Sequence, residues 1–130
     1  MQTHPLAALI AAADRAISTQ DYEVLLDFYA EDAALVVKPG LVVHGKAAIR
    51  RAFEGIAEHF GHRLRVGQGE IQVIEGADSA LVVMETLLTF PVGLGREETV
   101  TRRATYVFRR DGDVWRCVID NSYGTDLLTA

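Results

Sequence analysis

Leu6, Leu9, Ile10, Ala13 and Ile17 recur at three- and four-residue steps, which puts them on one face of a helix. Pro5 suits its first turn, where the fixed φ fits and a missing N–H costs nothing. The pattern predicts a helix over about 5–19. Asp21 is placed to cap a second helix, with Val24, Leu25, Phe28 and Tyr29 on its buried face and Glu31 and Asp32 near its end. The two helices form a hairpin. Ala34 to Val37 has β character, Pro39-Gly40 is a turn pair, and Leu41 to Val43 resumes an extended run. Gly45 breaks into a third helix, Lys46 to about Phe60, whose Ala48, Ile49, Ala52, Phe53 and Ile56 keep helical spacing before Gly61 ends it.

Beyond His62 the chain favours strands. Turn signals at Gly76 to Asp78, Pro91 to Gly95 and Asp111 to Asp113 separate four long segments, approximately 63–75, 79–90, 97–110 and 114–121. Strands joined by short turns predict an antiparallel meander. Helices first and strands later predict an α+β domain whose curved sheet covers its apolar face with the helices. On the second of these strands Ala80, Val82, Met84, Thr86, Leu88 and Phe90 form one face and Leu81, Val83, Glu85, Leu87 and Thr89 the other. Both faces are largely apolar, so both call for a cover.

With 130 residues, 49% of them hydrophobic and 24% charged, the chain suits one domain over 1–130 that folds without a metal or disulfide staple. A net charge of −5 argues against nucleic acid and anionic membrane as partners. The lone Cys117, within an apolar run, permits no intrachain disulfide and fits a buried small hydrophobe in a reducing, cytoplasmic setting. The first residues lack a basic leader, and no run approaches the length of a membrane span.

Two local motifs sharpen the fold: FYAEDA at Phe28 to Ala33, and HGKAAIRRAF at His44 to Phe53. Together with WRCVIDNSYGTDLL, from Trp115 to Leu128, and the order of elements, they resemble the nuclear-transport-factor-2-like (NTF2-like) superfamily, in particular its small SnoaL-like and ketosteroid-isomerase-like bacterial members. The resemblance implies a cone-shaped curved sheet wrapped around three N-terminal helices, an internal pocket, and a homodimer paired through the sheet. Ketosteroid isomerase combines an Asp base with an oxyanion hole of a Tyr and a protonated Asp. The resemblance puts those three groups at Val37, Ala13 and Ala104, none of which can exchange a proton. Steroid isomerisation by that mechanism is therefore not expected.

Strand alternation selects other polar candidates. Arg102 shares a face with Val100, Ala104, Tyr106 and Phe108, so it binds an anionic group, pairs with a buried carboxylate, or lies at the rim with its head in water. Asn121 falls on the apolar face of the last strand with Trp115, Cys117 and Ile119, where its amide either holds a carbonyl or carboxylate in the cavity or makes the hydrogen bonds of a turn or strand end; Asp120 alternates outward. Glu85 is a candidate base if buried, or a partner of Arg102 or Arg103 across the hairpin. Tyr29 either packs in the core or offers its hydroxyl near the cavity. His44 lies before the third helix, and His59 and His62 lack a third ligand at telling spacing, so no metal is expected. Neither a phosphate loop nor a dinucleotide fingerprint is present, and no cofactor is expected.

The sequence thus predicts a pocket for a small hydrophobic or carbonyl-bearing molecule, with Asn121, Arg102, Tyr29 and Glu85 among its contacts. Its activity would be cofactor-independent acid–base chemistry of the isomerase, cyclase or dehydratase type. The alternative is a non-catalytic ligand-binding or dimerisation module. A cavity filled by Phe53, Phe90, Phe108 and Trp115 favours assembly; an open, polar-tipped cleft favours ligand chemistry.

Overall fold

Pro5 and the ring of His4, whose Nδ1 accepts the Leu6 amide at 3.1 Å, start helix α1, Pro5–Thr19, in a computed structural model that describes residues 4–128. Asp21 caps α2, Tyr22–Asp27, its Oδ1 accepting the Val24 amide at 3.4 Å. This second helix is shorter than its apolar spacing predicts: Val24 is exposed, and Tyr29 opens a strand instead of closing a helix. Pairing with a distant strand overrides the local pattern. The Cys117 amide donates to the Phe28 carbonyl at 2.9 Å, and Tyr29 lies in register with Cys117.

The strands are β1, Tyr29–Lys38; β2, Leu41–His44; β3, Arg65–Gly76; β4, Ser79–Gly93; β5, Arg96–Asp111; and β6, Val114–Asn121. Helix α3, Lys46–His59, follows β2, and a 3-10 turn, Gly124–Leu128, follows β6. The sheet order is β2-β1-β6-β5-β4-β3, curved and unclosed. β3 to β6 form the predicted antiparallel meander, whereas β1 joins β6 in parallel. That parallel seam brings the N-terminal third of the chain beside its last strand.

Helix α1 packs on β3, and α3 covers β1 and β2. Leu6, Ile10, Leu25, Ile49, Val82 and Phe108 are fully buried between helices and sheet. The Phe28 ring meets Tyr29 and Phe108 edge-on at 5.0 and 5.5 Å, a geometry that adds roughly 0.5–1.5 kcal/mol per pair beyond burial.

Among the register shifts in the sheet, two bear on the placement of the candidate side chains. In β3, Gly69 and Glu70 together oppose Glu85 of β4. In β6 the register passes from Cys117 opposite Phe108 to Ile119 opposite Val107, leaving Val118 as an extra residue. Side chains past Val118 therefore swap faces. Asp120 points inward and is buried, whereas Ile119 and Asn121 face outward, the reverse of the regular alternation expected from sequence.

After the bulge, Asn121 builds the turn into the terminal 3-10 segment: its Oδ1 accepts the Gly124 amide at 3.0 Å and its Nδ2 donates to the Gly124 carbonyl at 3.3 Å. Gly124 has φ of +56°, and a Cβ there would overlap the carbonyl oxygen of Arg103. Gly124→Ala is expected to lower stability by about 1–2 kcal/mol in urea unfolding, through loss of this close approach and the left-handed conformation.

Candidate functional site

Between the inner face of the sheet and helices α1 and α3 lies a cavity of about 600 Å³. Its walls are mainly apolar, built from residues such as Ile17, Val37, Phe53, Ile56, Val66 and Leu88. Four buried polar side chains interrupt them: Asp14, Thr86, Tyr106 and Asp120.

Each arrives there for a local reason. Asp14 sits four residues after Ile10 and three before Ile17, on the apolar stripe of α1. Thr86 and Tyr106 occupy inward positions of β4 and β5, and Tyr106 lies directly opposite Asp120. The Val118 bulge supplies Asp120. The two carboxylates are 5% and 4% exposed, respectively.

Burial dominates their chemistry. It lifts Asp14 to about 7, helped by the charge of Asp120 and opposed by a hydrogen bond from Gln68 and the charge of Arg15. Asp120 is raised to about 6 by burial, against hydrogen bonds from Tyr29 and Ser122 that favour its ionised form. The Tyr29 hydroxyl donates to Asp120 Oδ2 at 2.6 Å, and the Ser122 hydroxyl to Oδ1 at 3.3 Å. Burial first, then the charge of Asp120, pushes both the Tyr29 and Tyr106 phenols well above their ordinary value, so both remain donors. Asp14 Oδ2 and Thr86 Oγ1 have no hydrogen-bond partner among the described residues. The charge of one carboxylate opposes ionisation of the other, so the two titrate as a pair that passes through a singly protonated state.

Of the residues selected from sequence, Arg102 reaches the cavity, at its mouth. Its Nη1 lies 3.2 Å from Asp126 Oδ2, and its guanidinium stacks 4.6 Å from the centre of the Tyr123 ring. Tyr29 stands behind the lining, fully buried, with its hydroxyl on Asp120. Asn121 is committed to the turn at Gly124 and is not part of the lining, because the bulge turned it outward. Glu85 is on the outer face; its Oε1 accepts the Glu70 amide at 3.0 Å and so pins the β3 bulge, with Arg103 its cross-strand neighbour. His59 borders the cavity, whereas His62 Nδ1 meets Gln20 Oε1 at 2.7 Å. Among the described residues, no group of three or more His, Cys, Asp or Glu is arranged to hold a metal ion. Val37 lines the cavity and Ala13 and Ala104 are buried, all without a proton to exchange.

A curved sheet folded over three helices around such a cavity is the NTF2-like architecture. It is shared with an NTF2-like protein of cystatin-like fold from Novosphingobium aromaticivorans, at a TM-score of 0.76 and 22% identity over 88% of this chain and 76% of that one. A family model described as a SnoaL-like domain matches residues 6–120, and the chain belongs to that family. Aln2 from a Streptomyces species superposes with a TM-score of 0.84 at 17% identity, over 99% of this chain and 98% of that one. A Mycobacterium tuberculosis protein of unknown function gives 0.78 at 21% identity, over 88% of this chain but 66%, just under two thirds, of that one. No curated protein matches by sequence. At these identities the likeness establishes the fold.

The raised carboxylates have a consequence for stability. Each binds its proton more tightly folded than unfolded, so its contribution is fully present below the ordinary value of 3.8 and is lost as pH rises through about 6 for Asp120 and about 7 for Asp14. Asp14→Asn is therefore expected to stabilise the fold at pH 8 by on the order of 2–4 kcal/mol, and to give little gain at pH 4. Urea unfolding at the two pH values measures the difference.

Proposed function

We propose that this protein binds a small, carbonyl-bearing molecule in the cone and moves a proton on it without a cofactor, with Asp120 as base and Asp14 as acid. The observation that carries the reading is the pair of buried carboxylates held in one apolar cavity with different proton affinities. An ionised Asp120 takes a proton from the carbon next to the carbonyl. The electron pair released moves onto the carbonyl oxygen, which the protonated Asp14 or the Tyr106 hydroxyl supports by hydrogen bonding. Return of the proton to another carbon isomerises the molecule; expulsion of a β-hydroxyl as water, protonated by Asp14, dehydrates it. An open cavity supports ligand chemistry over a purely structural role: of Phe53, Phe90, Phe108 and Trp115 only Phe53 is in its lining, and about 600 Å³ is left unfilled.

Exchange of carbon-bound protons in D2O, followed by proton NMR across a set of small ketones, keto acids and keto esters, tests this. The protein is expected to accelerate exchange of at least one of them. Asp120→Asn is expected to slow it by ~10²–10⁴-fold. The rate rises through about pH 6 as the pair loses its first proton and falls above about 7 as it loses the second. An exchange rate indifferent to Asp120→Asn would overturn the assignment.

We infer also that two copies pair through the outer face of the sheet. Ile74, Leu81, Val107 and Ile119 are in register across four adjacent strands, and three of them are among the exposed large apolar side chains of the described residues. Val83, on the same face of β4, extends the stripe. In light scattering the protein is expected at twice its 14.3 kDa mass, and Leu81→Asp at the monomer mass with unchanged circular dichroism.

A further inference from the structure

The cavity is sorted by charge. Its two acidic side chains, Asp14 and Asp120, are buried at the inner end, whereas its permanent cations, Lys38, Arg51 and Arg102, occupy the more exposed lining. They come from three different elements: the end of β1, the side of α3, and β5. Neither Lys38 nor Arg51 takes part in an ion pair among the described residues. Arg102 is paired with Asp126 at 3.2 Å; in a chain of net charge −5, with 18 acidic and 13 basic side chains, an outer lining that adds Lys38 and Arg51 beside that pair is not the local average.

We propose that the natural ligand is an amphipathic anion: an apolar body with a carboxylate at one end, bound with that group at the mouth against Lys38, Arg51 and Arg102 and with its reacting carbonyl or hydroxyl inward. The inference rests on the reading of the cavity as a ligand site and narrows its substrate class from neutral carbonyl compounds to small keto or hydroxy acids. The reverse orientation is disfavoured because it would set the ligand's charge beside ionised Asp120 in a low-dielectric pocket. Cations at the opening also raise the rate at which an anion is captured, despite the negative charge of the whole chain. Helix α3 leaves room for this: Arg51, Gly55 and His59 follow one another at four-residue steps along the rim, and a Cβ at Gly55 would meet nothing within 4 Å.

Two fluorescent probes of one skeleton separate charge from apolar binding: 1-anilinonaphthalene-8-sulfonate, whose sulfonate stands in for the carboxylate, and neutral N-phenyl-1-naphthylamine. Each is titrated into the intact protein, and the component lost in the cavity-filling Leu88→Trp variant is taken as binding in the cone. The sulfonate probe is expected to bind there about tenfold tighter than the neutral one, an advantage that high salt reduces. The double variant Lys38→Met, Arg51→Met changes only exposed side chains. It is expected to remove most of the advantage, Arg102 keeping its pairing with Asp126, while the neutral probe still binds in the cone. Equal affinities in the unaltered protein, or an advantage undiminished in the double variant, would overturn the anionic class while leaving the cavity as a binding site. Binding of neither probe, or binding of both undiminished by Leu88→Trp, would remove the cavity reading itself and this inference with it.

Discussion

One extra residue, Val118, decides what the cone can do. β6 lies between β1 and β5 in the sheet, so a bulge there is felt on both sides. Before it, Cys117 packs inward opposite Phe108; after it, Asp120 also points inward, opposite Tyr106. A regular strand would bury Ile119 and send the carboxylate to solvent. The bulge thus exchanges a favourable apolar burial for an unfavourable ionisable one, and leaves Ile119 exposed on the outer face. The same shift extends the apolar row through which a second copy is proposed to pair.

The cost of burying Asp120 is partly offset by what β1 provides. The parallel seam sets Tyr29 in register with Cys117, three residues from Asp120, and the phenol reaches the carboxylate at 2.6 Å. A charge-assisted hydrogen bond of that length is among the stronger ones available inside a protein. Asp14 receives less support, since one of its oxygens has no partner among the described residues. Unsatisfied, destabilising groups persist where something other than stability maintains them, and here two such groups converge on one cavity.

Much of the architecture was legible because it follows from periodicity. The apolar spacing of α1 and α3, the turn signals of the meander and the YAEDA and HGKAAIRRAF motifs place the helices and four long strands within a few residues. The end of α2 was not legible: local spacing continued the helix through Tyr29, and only the distant pairing with β6 makes that residue a strand. The site was less legible still. Asn121 and Asp120 exchanged roles because a bulge leaves no mark in the alternation of VWRCVIDN. Glu85 faces Arg103 in register, but it makes no ion pair with it among the described residues, and the backbone amide it accepts instead belongs to another bulge, which the sequence does not mark. Asp14 is different. A carboxylate four residues after Ile10 and three before Ile17 on an otherwise apolar stripe was a visible signal of a buried acid.

In the proposed reaction, the choice of base between the two carboxylates turns on hydrogen bonds more than on burial, since both are nearly inaccessible. Asp120 accepts from two hydroxyls, of Tyr29 and Ser122, and both interactions favour its ionised form. Asp14 has Gln68 to favour ionisation, but it also faces the charge of Asp120, which opposes it. Once Asp120 is ionised, its charge raises the proton affinity of Asp14, and the two roles reinforce each other. Tyr29 has no place in the cavity lining and is therefore a positioning residue. Its hydroxyl favours the ionised form of Asp120, the form the proposed reaction needs in its base.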